Sequence, residues 1–173
     1  VHVEGELATV YAEGDLNVQA LVVDHDPVKP AVGYLVRYKD RSLLISGDTA
    51  KSANVQDFAQ GVDLLVHEAL ARNIVGLLHD TAAKAGAESL AKITFDIQDY
   101  HATPVEAAEI ARDAGVGHLL YYHIVPPLIF PGMDAVWLEG VNEVFSNYTL
   151  GQDGTTFSLP AGSKDTHLIR SGM

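Results

Sequence analysis

The chain has 173 residues, 47% of them hydrophobic and 20% charged, so it suits one ordinary domain with a real core and is too apolar for a disordered segment. It has no cysteine, which excludes disulfides and thiolate metal sites and leaves His and carboxylate as the only metal donors. A net charge of −12 with 11 scattered basic residues argues against a chain built to grip a phosphate backbone, so nucleic acid is not the expected partner.

The opening stretch VHVEGELATVYAEGDLNVQALVVD alternates like a strand region, with neither a starting Met nor a basic-then-apolar signal, and reads as a start in mid-fold. NVQALVVDH and AVGYLVRY read as strands separated by DHDPVKP, whose prolines and aspartates mark a loop. KDRS turns tightly into LLIS, so AVGYLVRYKDRSLLIS predicts a hairpin. After GDT comes a short helix around SANVQDFAQG, stopped by Gly61, and then a buried strand, VDLLV. From Ala69 to Ala91 the apolar spacing is helical, broken near Gly86.

TPVEAAEIARDAG carries the clearest local signal. Thr103 is placed to cap, Pro104 suits the first helical position, and Glu106 completes a capping box, with Gly115 as the stop. The strand HLLYYH follows, then a helix around MDAVWLEGVNEVF and a closing hairpin, NYTLGQDGTTFSL, turning at Gln152-Asp153-Gly154. The longest apolar candidate, HLLYYHIVPPLIFPGM, is broken by His123, Pro126, Pro127 and Pro131. It falls short of the roughly 18 uninterrupted apolar residues of a membrane span, so no membrane partner is expected.

Apolar runs end on polar groups in RSLLISGDT, DLLVHEA and HLLYYHIVPP. Single buried strands alternating with helices mean βα units, and ligands in such folds sit beyond the carboxyl ends of the strands. Asp48, His67-Glu68 and His123 are therefore candidates for one rim of one sheet. Each has a plainer alternative. Asp48 suits capping of the helix near Ser52 as well as a rigid carboxylate for divalent ions. A lone His123 in apolar surroundings is more often a hydrogen-bonded core residue, although a strand terminus followed by prolines favours function. His101 lies just before a helix N-terminus, whose dipole keeps an imidazole neutral and attracts anions, but it also reads as an exposed loop residue.

His25, between two aspartates, reads either as an oriented imidazole or as a solvated turn. On a strand, His67 and Glu68 would point to opposite faces and could not both serve one site. His2, His79, His118 and His167 carry no pattern. No H-E-x-x-H, G-x-S-x-G or Gly-rich phosphate loop is present. Composition and spacing stop at an α/β domain with a candidate His/carboxylate site.

Three motifs in order carry a family resemblance: DHDPVKPAVGYLVRYKDRSLLISGDT, DLLVHEAL, and DYHATPVEAAEIARDAGVGHLLYYHIVPP. Together they resemble the second half of a metallo-β-lactamase-fold hydrolase, in the branch that holds ribonuclease Z and the arylsulfatase-type enzymes. The DHDPVKPAVGY form looks closer to the arylsulfatase-like group. The resemblance implies an α/β fold, one half of an αββα sandwich, with two zinc or other divalent ions in the complete protein. It matches Asp48 to the bridging metal ligand and His123 to the last histidine ligand. His101 matches a histidine that donates a proton or steadies charge at the scissile bond. His25, Tyr34, His67 and Glu68 match positions on the substrate side, with Leu70 departing from the threonine of the His-Glu-Ala-Thr segment.

The upstream H-x-H-x-D-H motif of that family does not occur here, so residues 1–173 read as a single partial domain. Two ligands do not make a hydrolytic dizinc centre. The expectation is metal-hydroxide attack on a small anionic ester such as an aryl sulfate or phosphate ester. Ribonuclease activity is the enzyme alternative, and an inert fragment or assembly module the non-catalytic one. An exposed apolar sheet face, covered by an N-terminal half from another segment or chain, or by oligomerisation, is also expected.

Overall fold

The computed structural model describes residues 7–172, so the first six residues of the opening stretch, His2 among them, lie outside the described residues. Strands β1 (Ala8–Glu13), β2 (Leu16–Val22), β3 (Val32–Tyr38) and β4 (Arg41–Ile45) form an antiparallel meander. The β3–β4 hairpin is the one expected from its alternation. Helix α1 (Ala53–Phe58) then crosses to β5 (Leu64–Leu70), parallel to β4. A pair of helices, α2 (Arg72–Lys84) and α3 (Glu88–Asp96), and helix α4 (Pro104–Asp113) lead to β6 (Leu119–Val125), parallel to β5. The seven-stranded sheet runs in sequence order and is closed by β7 (Tyr148–Leu150) on the edge of β6.

Local chemistry sets the elements. Ser52 caps α1 through the amide of Val55, and Thr103 and Glu106 form the reciprocal capping box at α4, worth about 1 kcal/mol at such a terminus. Leu21, Leu35, Leu44, Leu65, Leu119 and Tyr121 project from one face of the sheet into a core shared with Val55, Ala107, Ile110 and Ala111 of the helices. The strand period of two leaves the alternate residues on the opposite face. There Val36, Leu43, Ile45, Val66 and Leu120 are half-buried, while Tyr34 and Tyr38 are exposed. No helix of the described residues is long and apolar enough to cross a membrane.

Three expectations need correction. The closing hairpin does not form: β7 pairs with β6, whereas β8 (Thr156–Ser158) pairs with β9 (His167–Arg170) in a separate two-stranded sheet. Tyr148 and Leu150 pack on the core, so their burial outweighs the local turn signal at Gln152-Asp153-Gly154. The helix expected around MDAVWLEGVNEVF is two short helices, α5 (Met133–Trp137) and α6 (Val141–Val144), separated at Gly140 with φ of 81°. Strand β5 does not stop at Val66 but carries His67 and Glu68 inside it.

The amino ends of β4 and β5 are fastened by Arg41. Its guanidinium, 4% exposed, pairs with Asp63 at 3.2 Å. It also donates to the carbonyls of Ser163 and Asp165 and to the Thr166 hydroxyl. That binds the segment after β8 to the far end of the sheet from the candidate site.

Candidate active site

The parallel strands β4, β5 and β6 end together, and Asp48 follows β4 by way of Gly47. Gly47 has φ of +66°, and a Cβ there would run into the carbonyl of Val32. A side chain is thus excluded by both backbone conformation and space, and the turn delivers Asp48 to the rim. The Gly-Asp pair ends the apolar run because the chain must turn tightly against β3.

His123 reaches the same rim by a different device. The β5–β6 register slips between Glu68–Tyr122 and Ala69–Ile124, so His123 is an extra residue with no partner across the ladder. Its φ of +44° lies in the left-handed region, uncommon for a non-glycine residue. The bulge lets Ile124 keep the core-facing position and re-aims His123 outward. His123 Nε2 then lies 3.7 Å from Asp48 Oδ2, with the two side chains 46% and 41% exposed.

His101 completes the cluster. Its ring centroid is 5.8 Å from that of His123 and 5.1 Å from that of His25. His101 Nδ1 sits 3.0 Å from Glu68 Oε2, and Glu68 Oε1 accepts the backbone amides of Thr49 and Ala102. The Nδ1–H donates to the carboxylate, which leaves Nε2 as the working nitrogen. His25 Nδ1 is 2.8 Å from the Tyr100 carbonyl, tying the β2–β3 loop to the residue before His101. Thr49 closes the frame by donating its hydroxyl to the carbonyl of Asp24.

The remaining candidates fall differently. Glu68 is fully buried with both oxygens engaged, so it holds the site together. His67 is also fully buried, on the helix-facing side beside Tyr121 in the register. Both residues expected on the substrate side are therefore enclosed, and on opposite faces of β5 as the strand period dictates. Burial holds the His67 imidazole below its ordinary pKa. Tyr34 lies on the open sheet face opposite Ile45, and among the described residues no hydrogen bond or ring contact links it to the cluster.

Sequence reasoning missed Tyr122. It sits opposite Glu68 in the register, and burial beside the Asp48 carboxylate pushes its phenol up to about 12. In the sequence it is one more aromatic residue of a buried strand, with no signal to single it out.

Asp48 and His123 offer the oxygen and nitrogen donors suited to zinc or a similar divalent ion. Among the described residues no group of three or more metal-donating side chains comes together. The pair fits one side of a metal site, and the roughly four donors zinc takes would need others from outside the described residues.

Parallel strands thus end in an Asp and a bulged His, with a carboxylate-held His beside the latter, on one rim of the sheet. The chain belongs to the β-lactamase superfamily: residues 2–124 match the family described as beta-lactamase superfamily domain. It is similar to the ribonuclease Z of Mycobacterium sp. (strain KMS), 34% identical over 122 residues that cover 70% of this chain and 39% of that protein. The ribonuclease Z of Mycolicibacterium paratuberculosis is 31% identical over 145 residues, covering 83% of this chain and 48% of that protein. The chain thus spans about half the length of these relatives, or less.

Among solved structures, the metallo-beta-lactamase fold protein YhfI from Bacillus subtilis superposes with a TM-score of 0.55 at 21% identity, over 80% of this chain and 47% of that one. Human tRNase Z, short form, gives 0.50 at 22%, over 69% of this chain and 39% of that one. These establish the α/β metallo-β-lactamase fold.

Proposed function

We propose that this chain supplies one half of the active site of a metal-dependent phosphodiesterase of the ribonuclease Z type. The observation that carries the reading is the approach of Asp48 to His123 at 3.7 Å beside a His101 held by buried Glu68. The relatives named ribonuclease Z support RNA over the aryl sulfate placed first from the sequence. The chain's net charge of −12 counts against a polyanionic substrate and keeps a small ester as the second reading.

Asp48 and His123 would hold the metal, with zinc the ion that suits them. When bound, a divalent ion supplies Lewis acidity to a phosphoryl oxygen and acidifies water. Glu68 fixes the tautomer of His101 and steadies the charge on its ring. With Nδ1–H on Glu68, it is the doubly protonated His101 whose Nε2–H goes to the leaving oxygen or stabilises the charge that develops on it. The apolar row of Val36, Leu43, Ile45, Val66 and Leu120 is the surface on which a second sheet, the other half of the fold, would lie.

The test is complementation. This chain, co-expressed with the N-terminal half of a ribonuclease Z relative, is assayed on precursor tRNA, bis(p-nitrophenyl) phosphate and p-nitrophenyl sulfate. Cleavage of the tRNA and the diester, lost about 100-fold or more in His101→Ala, is the expected result. Sulfate turnover without diester turnover would overturn the proposal, and no turnover from a stable two-part complex would favour the assembly-module reading.

A further inference from the structure

Strand β7 pairs with β6 only as far as Tyr121, so the edge of β6 beyond it is left open. A trough runs along that edge. It begins at Tyr122 and His123 and continues between the loop after β6 and the turn after β7. Both parts share Ile124, Gln152 and Asp153, and the outer part has a volume of about 730 Å³, within the roughly 300–1,000 Å³ usual for small-molecule sites.

The lining has a definite chemistry. Pro127 and Phe130 form one wall, and Phe130 is 67% exposed. A large aromatic ring held open to solvent in a trough that runs on to His123 is a stacking surface. The charged side chains of the trough are Asp134 and Asp153, and no Lys or Arg of the described residues lines it. Carboxylates facing an aromatic wall repel phosphate and attract a cationic or neutral ring.

We propose that this trough is the subsite for an aromatic, neutral or cationic group of the substrate, carried beyond the bond that reacts at His123. It rests on the functional reading of His123 and extends it: the phosphodiester lies over Asp48 and His123, and the flanking group that enters the trough carries no phosphate of its own. Phe130 supplies the stacking face, and Asp134 and Asp153 set the charge preference.

The experiment is an NMR titration of the full chain with benzyltrimethylammonium and, separately, with benzoate. The ammonium probe is expected to shift the amides of Gly132, Gly151 and Gln152 saturably, and benzoate is not. Replacing Asp134→Asn with Asp153→Asn, or Phe130→Ala alone, should weaken the ammonium probe about tenfold. Equal or tighter binding of benzoate, shifts confined to the open sheet face, or no saturable shift of those amides would each overturn the proposal. Probe binding needs neither metal nor turnover. A missing diesterase activity therefore leaves the trough standing, and a missing probe site leaves the hydrolase reading standing.

Discussion

Glu68 Oε2 lies 3.0 Å from His101 Nδ1, and the same carboxylate receives the amides of Thr49 and Ala102 at 3.3 and 3.0 Å. One buried side chain thereby fixes both the residue after Asp48 and the imidazole beside it. Glu68→Gln keeps an oxygen for the two amides but turns an NH2 toward His101 Nδ1, which moves the neutral ring's proton to Nε2 and removes the carboxylate that balances the doubly protonated ring needed for proton transfer. The expected outcome is a folded chain whose His101 ring nitrogens exchange protonation states in 15N NMR. In a complemented enzyme, activity should fall about 100-fold or more. Glu68→Ala, by contrast, leaves the Thr49 amide unpaired while Ala102 keeps its bond to the Thr49 carbonyl, and should cost about 1–3 kcal/mol in denaturant unfolding. An unchanged tautomer in Glu68→Gln would show that the carboxylate does not set it.

The donor pair makes a prediction for metal content. With one carboxylate and one imidazole 3.7 Å apart and no larger donor group among the described residues, the isolated chain should retain only substoichiometric zinc through gel filtration. Weak zinc binding seen by calorimetry should disappear in Asp48→Asn and in His123→Ala. Two zinc ions carried tightly by the isolated chain would mean that the donor set is larger than these residues.

Where strand ends, caps and turns are set by neighbouring residues, the sequence showed them. The Thr103–Glu106 capping box and the turn at Gly47 that delivers Asp48 are local and were legible, whereas the cap of α1 is Ser52 and not the Asp48 offered from the sequence. His123 was legible as a candidate but its placement was not. Alternation alone would aim it with Tyr121 into the core, and only the slip of β6 against β5 turns it to Asp48. The setting of Glu68 was not legible because its strand was ended too early; its carboxylate is bonded by the Thr49 and Ala102 amides, which come from distant segments. The closing hairpin failed for the same reason, since the partner of β7 lies across the sheet and not across the turn.

Arg41 tests how the carboxyl-terminal segment is held. Its pairing with Asp63 at 3.2 Å is buried, and three further acceptors come from residues 163–166. Arg41→Ala leaves Asp63 without its partner and frees the segment. Stability should fall by about 3–5 kcal/mol, and limited proteolysis should cut between residues 160 and 166 before the sheet unfolds. Cleavage elsewhere first, with unfolding unchanged, would show that the anchor is not Arg41.

His67 gives the chain a predictable pH response. The imidazole is fully buried between β5 and the helix layer, its Nδ1 lies 2.6 Å from the Glu68 carbonyl, and Nε2 has no hydrogen-bond partner among the described residues. Burial disfavours the charged ring and holds the folded pKa below the ordinary 6.5, against the opposing pull of the Glu68 carbonyl and the Glu68 and Glu106 carboxylates. The unfolded chain therefore takes up a proton before the folded one does. The contribution to stability is present in full above pH 6.5 and is lost as the pH falls below that value, toward the depressed folded pKa. The slope is about 1.4 kcal/mol per pH unit, or about 3–5 °C of Tm. His67→Phe removes the titrating group, so the difference in unfolding free energy between the two proteins should shift in favour of the variant on going from pH 7 to pH 5, by at most about 2 kcal/mol. Parallel stability curves over that range would mean that His67 binds its proton equally in both states, and the buried neutral ring would have to be abandoned.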